Sequence, residues 1–480
     1  MPSITSGIYW KLLERFGVSA GQFVLQVVLA RLLCPADYGA LAIMIIFTAL
    51  ANIFVQSGFN TALIQNKDVT DEDYSSVFWV SLGIACVLYG LLFAVSPLIS
   101  DFYNMPLLTR PFRILALMLI PGALNSVQLA KISREMDFKK VFYSNVAAVF
   151  ISGALGIAMA YCGFGLWALV AQSLGNVVVA CIVMWFTVKW RPVLVCNFHR
   201  IQILFAYGWK LLVSALLDTL YQDLQGLVIG KKYNAEALAY FNRGKQFPQF
   251  LMGAINGAIM SVMLPAMSLR QDEKSAVKAL TRKSMTFSAF IIFPLMAGLA
   301  GVARPLVQLL LTDKWLPCVP YLQIYCFIFA FWPVHTCNLQ AINAVGRSDL
   351  FLKLEIIKKS YGIVALTIAV LFFDTPIYIA LTGVITTMIS CFVNASPNKK
   401  LIGYSYFEQV KDIVPIFSAA MLMFFCVLAL GKLQLNLIFL LFIQTITGII
   451  TYTLFAALFR IPALFEMKNM AMRYIRRDKR

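Results

Sequence analysis

From residue 8 to residue 459 the chain is a succession of long apolar runs joined by short polar connections. Lipid cannot hydrogen-bond a bare backbone, so a spanning segment must be a helix or part of a closed barrel. The runs are about 20 residues or longer, which suits a helix and exceeds the alternating ten-residue strand of a barrel. Their positions are 8–33, 38–64, 74–100, 111–130, 140–162, 165–188, 203–230, 236–266, 282–311, 317–343, 352–373, 376–396, 408–431 and 435–459. The predicted fold is an all-α polytopic membrane protein with about 14 transmembrane helices. Composition agrees, since 60% of residues are hydrophobic and 13% charged, against roughly 45–50% and 25% in soluble domains. No connection is long enough for a soluble domain. The first run is too long for a cleaved signal and lacks a small-residue cleavage pattern.

Reactive chemistry is sparse. The ten cysteines contain no CxxC pair and mostly fall inside apolar runs, as small core residues do. His199 and His335 are far apart and near no carboxylate cluster. No metal site and no cofactor are expected.

The net charge of +18 is explained by its distribution. With the N-terminus placed in the cytoplasm, 30 of the 40 Lys and Arg residues fall in tails, inner loops and adjoining helix ends, and 7 fall on the outer side. This bias orients both termini inward. The terminal RYIRRDKR then serves as an orientation signal and lipid-surface contact, and a nucleic-acid partner is not expected.

The sequence at 208–212, GWKLL, echoes Gly7, Trp10, Lys11, Leu12 and Leu13 at the chain's opening. Six spans separate the two stretches, so both run in the same direction, as in a parallel repeat. The predicted organisation is an N-terminal lobe of helices 1–6 (1–190), a cytoplasmic linker (191–202), a C-terminal lobe of helices 7–12 (203–400), and two further helices with a basic tail (401–480).

Polar residues recur on particular helix faces. At 100° per residue Lys11, Arg15, Ser19, Gln22 and Gln26 share an arc of about 80° in the first span. Ser214, Asp218, Tyr221, Gln222 and Gln225 share about 100° of the seventh. Asn242, Lys245, Gln246, Gln249 and Asn256 form a face in the eighth, with Arg243 off the arc, and Thr48, Asn52 and Gln56 make a looser row in the second. A charge facing lipid costs at least about 2.5–3.5 kcal/mol, so these faces should line something polar. One reading is interhelical glue, with Asp218 paired to Lys245. The other is a water-filled cleft, in which Arg15 and Lys245 provide cations at two depths and suit an anionic cargo. Asp218 then binds a coupling proton or sodium ion.

Several stretches carry a resemblance. They are SGIYWKLLERFGVSAGQFVLQVVLARLLCPADYGALAI, VQSGFNTALIQ, ALAYFNRGKQFPQFLMGAINGAIMSVMLPAMS, LLTDKWLPCVPYLQIYC and LQAINAVGRSDLFLKLEIIKK. In these the chain resembles Wzx-type polysaccharide flippases, in the WzxC-like colanic-acid exporter branch of the multidrug/oligosaccharidyl-lipid/polysaccharide superfamily. The likeness extends through most of the chain and is weakest beyond about residue 400. It implies two pseudo-symmetric six-helix lobes in a V around a central cavity, plus two C-terminal helices. The implied cargo is an undecaprenyl-diphosphate-linked oligosaccharide crossing the bacterial inner membrane. A polysaccharide polymerase and a chain-length regulator of the same pathway are the implied partners, beside membrane lipid. Arg15, Arg243 and Lys245, with Lys11, are the counterparts of cavity cations that hold the diphosphate. Gln22, Gln26, Asn52, Gln56, Gln222, Gln225, Asn242, Gln246, Gln249 and Asn256 form the expected polar lining.

The expected activity is alternating access without covalent chemistry. A drug or cation antiporter of the same superfamily is the alternative, weakened by the cationic face. A membrane polymerase or glycosyltransferase would need a large outer loop or an acidic motif, neither of which the sequence supplies. A scaffold would have no use for four polar faces.

Overall fold

The structure, a computed structural model, describes residues 10, 17–65, 69–270, 273–433, 435–467 and 469. It is helical throughout, with no strand among the described residues. The first nine helices are α1 (Ser19–Leu32), α2 (Pro35–Gln65), α3 (Asp71–Phe102), α4 (Thr109–Ala116), α5 (Leu119–Glu135), α6 (Phe138–Tyr161), α7 (Leu166–Thr187), α8 (Phe198–Lys232) and α9 (Ala235–Ser268). The rest are α10 (Lys274–Gly301), α11 (Ala303–Leu311), α12 (Val319–Ala330), α13 (Trp332–Ala344), α14 (Ser348–Phe372), α15 (Pro376–Ala395), α16 (Asn398–Leu401), α17 (Tyr406–Leu430) and α18 (Leu437–Leu458).

Ten segments among the described residues are long and apolar enough to cross a membrane. Phe198–Ala206 and Gly208–Lys232, bent by 53°, form an eleventh if taken as one span. Fourteen crossings are not counted among the described residues, and two helices account for part of the difference. The described part of α1 is only 14 residues long. Lys353, Glu355, Lys358 and Lys359 fall in the first half of α14 and interrupt its apolar run.

Local chemistry sets the helix ends. Thr70 and Asp73 form a reciprocal capping box at the start of α3, and Ser405 and Glu408 do the same for α17. Pro97 inside α3 has no N–H, which deprives Phe93 O of its usual partner. Arg113 replaces that donor: its Nε donates to Phe93 O at 3.2 Å and to Ser96 Oγ at 2.9 Å.

The chain forms two compact units, Met1–Ala239 and Tyr240–Arg480, so the boundary falls within α9. In the first, Phe59, Val77, Phe78 and Val127 belong to a buried apolar cluster that extends to Trp190 and Leu204. Helix α8 packs on α2, where Gly226 admits Ile46 and Gly230 admits Ile43. The connection between α7 and α8 is strapped to the start of α3. Ser75 Oγ accepts from Val193 N at 3.1 Å, Ser76 Oγ accepts from Asn197 N at 2.9 Å, and Trp79 Nε1 donates to Val193 O at 2.9 Å. Arg200 completes the strap with two bonds to Asp73, at 2.8 and 2.7 Å. Asp73 is 2% exposed, so this fork–fork pair compensates a carboxylate withdrawn from water.

In the second unit Asn338 exchanges hydrogen bonds with Gln409 and accepts one from Asn398 Nδ2, a buried amide network joining α13, α16 and α17. At its charged edge Lys278 pairs with Glu408 at 2.9 Å and Arg282 with Asp412 at 2.6 Å, while Tyr404 donates to Asp412 at 2.7 Å. An apolar cavity bordered by Phe293, Phe327, Phe417 and Phe424 includes Gln323, whose Nε2 donates to Ala300 O at 3.2 Å. Lined in this way, the cavity has no cation to hold a charged head group.

Candidate functional site

Helix α9 carries the two described cations of the expected site. Its contact with α12 depends on Gly244, which stands between them. A Cβ there would lie 2.5 Å from Tyr321 Cβ and 2.8 Å from both Cys318 O and Leu322 N. Only glycine lets the two backbones meet so closely.

Beside that contact the aromatic residues form a seat. Phe241 meets Tyr321 and Tyr325 edge-on, with ring centroids 6.0 and 5.6 Å apart, and Tyr240 meets Trp315 edge-on at 6.0 Å. Arg243 is 6% exposed, and its guanidinium carbon lies 5.1 Å from the centroid of the fully buried Trp315 ring. Its Nη1 also donates to Gln246 Oε1 at 2.8 Å. A desolvated cation on an aromatic face gains about 2 kcal/mol, which offsets part of its burial. Lys245 is half-buried, with Nζ 5.8 Å from the Tyr325 centroid. Both charges are therefore held within a low-dielectric helix packing, where they act on an anion more strongly than they would in water.

The remaining expected residues are distributed as follows. Lys11 and Arg15 lie outside the described residues. Gln22 is exposed and Gln26 half-buried on α1. On α2, Gln56 Nε2 donates to Asn52 Oδ1 at 3.0 Å. This pair faces α5, where a Cβ on Gly122 would be 3.4 Å from Asn52 and 3.7 Å from Gln56. On α8, Asp218 and Gln222 are exposed and Gln225 is half-buried. Along α9, Asn242 is half-buried and Gln249 exposed, while Asn256 Oδ1 accepts from Thr336 Oγ1 of α13 at 2.7 Å. The structure thus brings together Arg243 with Gln246 and Asn52 with Gln56.

Trp315, Tyr325 and Gly244 join the site without having been expected there. The Arg-Gly-Lys tripeptide inside an apolar run is the available signal, because a small residue there marks close helix packing. Among the described residues no group of three or more His, Cys, Asp or Glu side chains could hold a metal ion.

The molecule is an all-helical polytopic membrane protein with the fold of multidrug and glycolipid transporters. A structure titled "Lipid II flippase MurJ, inward closed conformation" superposes with a TM-score of 0.68 and 16% identity, over 92% of this chain and 98% of that one. An inward-facing multidrug resistance MATE family transporter of the MOP superfamily gives 0.61 and 15%, over 79% and 95%. The chain belongs to the polysaccharide biosynthesis protein family, whose model matches residues 28–320. Its relatives include the teichuronic acid biosynthesis protein TuaB of Bacillus subtilis, 26% identical over 73% of this chain and 74% of its own length. The lipopolysaccharide biosynthesis protein WzxC of Escherichia coli is 24% identical over 85% and 83%. The succinoglycan biosynthesis transport protein ExoT of Rhizobium meliloti is 23% identical over 86% and 81%.

Proposed function

We propose that this chain is a flippase that carries an undecaprenyl-diphosphate-linked oligosaccharide across the bacterial inner membrane by alternating access, for surface polysaccharide synthesis. The observation that carries the reading is the pair of cations, Arg243 and Lys245, seated on aromatic rings within α9 of a polysaccharide biosynthesis protein. Phosphate oxygens attract such cations strongly where water is scarce. The same pair repels organic cations, which disfavours the antiporter reading.

In this account Arg243 and Lys245, with Arg15 and Lys11, neutralise the diphosphate. Gln22, Gln26, Gln246, Gln249, Asn242 and Asn256 offer hydrogen bonds to sugar hydroxyls while the prenyl tail stays in lipid. Asp218 serves ion coupling, and both termini face the cytoplasm. No bond is made or broken in the cargo, so the chain is a carrier and not an enzyme. A polymerase and a chain-length regulator act on the delivered glycan.

Reconstitution tests this directly. Proteoliposomes loaded with a lipid-diphosphate oligosaccharide should expose inner-leaflet glycan to an external glycosidase faster than protein-free vesicles do. Equal rates, or a lengthened glycan, would reject the carrier reading.

A further inference from the structure

Trp332 stands at the break between α12 and α13, deep within the apolar segment Asp313–Ala344. At 1.5 Å per residue it lies about 18 Å from the end of α13 and about 20 Å from the start of α12. Both distances exceed the half-thickness of bilayer hydrocarbon, about 15 Å. The side chain is nevertheless 37% exposed, and its indole N–H meets no acceptor among the described residues. Tryptophan ordinarily settles at a membrane surface, where that donor is wet. In hydrocarbon the donor would go unsatisfied, so Trp332 should border something polar.

Its neighbours one turn to either side fix where it points. Ile328 packs on α15, where a Cβ at Gly383 would lie 2.6 Å from Ile328 Cδ1. Thr336 Oγ1 donates to Asn256 Oδ1 of α9 at 2.7 Å. Residues four apart share a helix face, so Trp332 stands in the furrow between α9 and α15. Between Lys245 and Asn256, α9 presents the exposed Gln249, and a Cβ at Gly253 would have nothing within 4 Å among the described residues. Phe329 backs the Trp332 ring, with centroids 4.9 Å apart and planes 13° from parallel. Phe329 in turn lies 5.8 Å from Tyr325, the ring that faces Lys245 Nζ. An aromatic row therefore leads from the cation to Trp332.

We propose that Trp332 is the platform on which a sugar ring of the cargo stacks, with its indole N–H donating to a glycan hydroxyl and Gln249 offering a second polar contact. Resting on the flippase reading, this role divides the cargo: Lys245 takes the diphosphate and Trp332 takes the glycan. From Tyr325 to Trp332 is seven residues, about 11 Å of helix, or the span of roughly two sugar rings. A pyranose turns an apolar C–H face to a π surface and carries hydroxyls at its edge, which suits an aromatic ring with an unengaged donor. An anion would meet the negative face of the ring, and a hydrocarbon tail would leave the N–H unsatisfied.

Equilibrium binding to the purified full-length chain tests the role with two probes. One is the lipid-linked oligosaccharide extracted from a deletion strain, and the other is undecaprenyl diphosphate without sugar. Wild type should bind the glycolipid more tightly. Trp332→Leu should weaken glycolipid binding by about tenfold or more and leave binding of the bare diphosphate unchanged. Lys245→Gln should weaken both. Trp332→Phe keeps a ring without the donor and should fall between Trp332→Leu and wild type; it carries the test if Trp332→Leu does not fold. A preference for glycolipid that persists in full in both Trp332 variants would overturn the stacking role and leave the carrier reading standing. Equal weakening of both probes by Trp332→Leu would also overturn it. Binding of neither probe by wild type would reject the carrier reading itself, and the stacking role with it.

Discussion

Gly39→Ala is expected to deplete folded protein from the membrane. Gly39 lies in the first turns of α2, where a Cβ would sit 1.7 Å from Ala235 O and 2.3 Å from Ala235 C at the start of α9. The obstacle is backbone, which cannot rotate away as a side chain tip could. It is also fixed locally, because Asn234 Oδ1 accepts from Ala237 N at 2.7 Å and holds that first turn. Relief requires α2 to separate from α9. Overpacking of a close contact costs typically 1–3 kcal/mol, and a backbone clash this deep is expected to cost at least about 3 kcal/mol. Gly83→Ala is the control. Nothing lies within 4 Å of the position its Cβ would take, and alanine should be neutral or favour the helix by about 0.5–1 kcal/mol. Detergent-solubilised yield and Tm check both. A Gly39→Ala protein as stable as wild type would mean that the approach of α2 to α9 is not as close as described.

Lys245→Gln and Arg243→Ala are expected to abolish transport by different routes. Lys245 is half-buried, and glutamine preserves most of its length while removing the charge, so Tm should stay within a few degrees of wild type. Transport should fall by about tenfold or more, since a charge-assisted contact is roughly twice as strong as a neutral one. Arg243 is 6% exposed, lies over Trp315 and donates to Gln246. Its removal strips the ring of its cation, leaves Gln246 Oε1 without that donor and opens a void. Arg243→Ala should therefore lose both transport and stability, the latter by about 2–4 kcal/mol. Equal transport by Lys245→Gln and wild type would remove Lys245 from the cargo site.

The fold is legible wherever the sequence reports on a single helix. Apolar runs mark the helices, whereas the capping boxes at Thr70 and Ser405 and the close approach at Gly244 emerge only in the structure. The row Asn52–Gln56 is legible as a face because 3.6-residue periodicity reveals which residues share one. Periodicity does not reveal what the face meets. That Asn52 and Gln56 lie against Gly122 follows from packing between helices far apart in sequence. The same limit hides Trp315, which is 72 residues beyond Arg243, and the strap by which Ser75, Ser76 and Asp73 hold the connection before α8.

Lipid-linked oligosaccharide in a deletion strain, with and without the wild-type chain, tests the flippase account most directly. Intact intermediates should accumulate with their glycan on the cytoplasmic face of the membrane. The wild-type chain should clear them and restore surface polysaccharide, whereas Lys245→Gln, inserted to the same level, should not. Contradiction would come from a deletion strain in which no such lipid accumulates and only drug resistance changes.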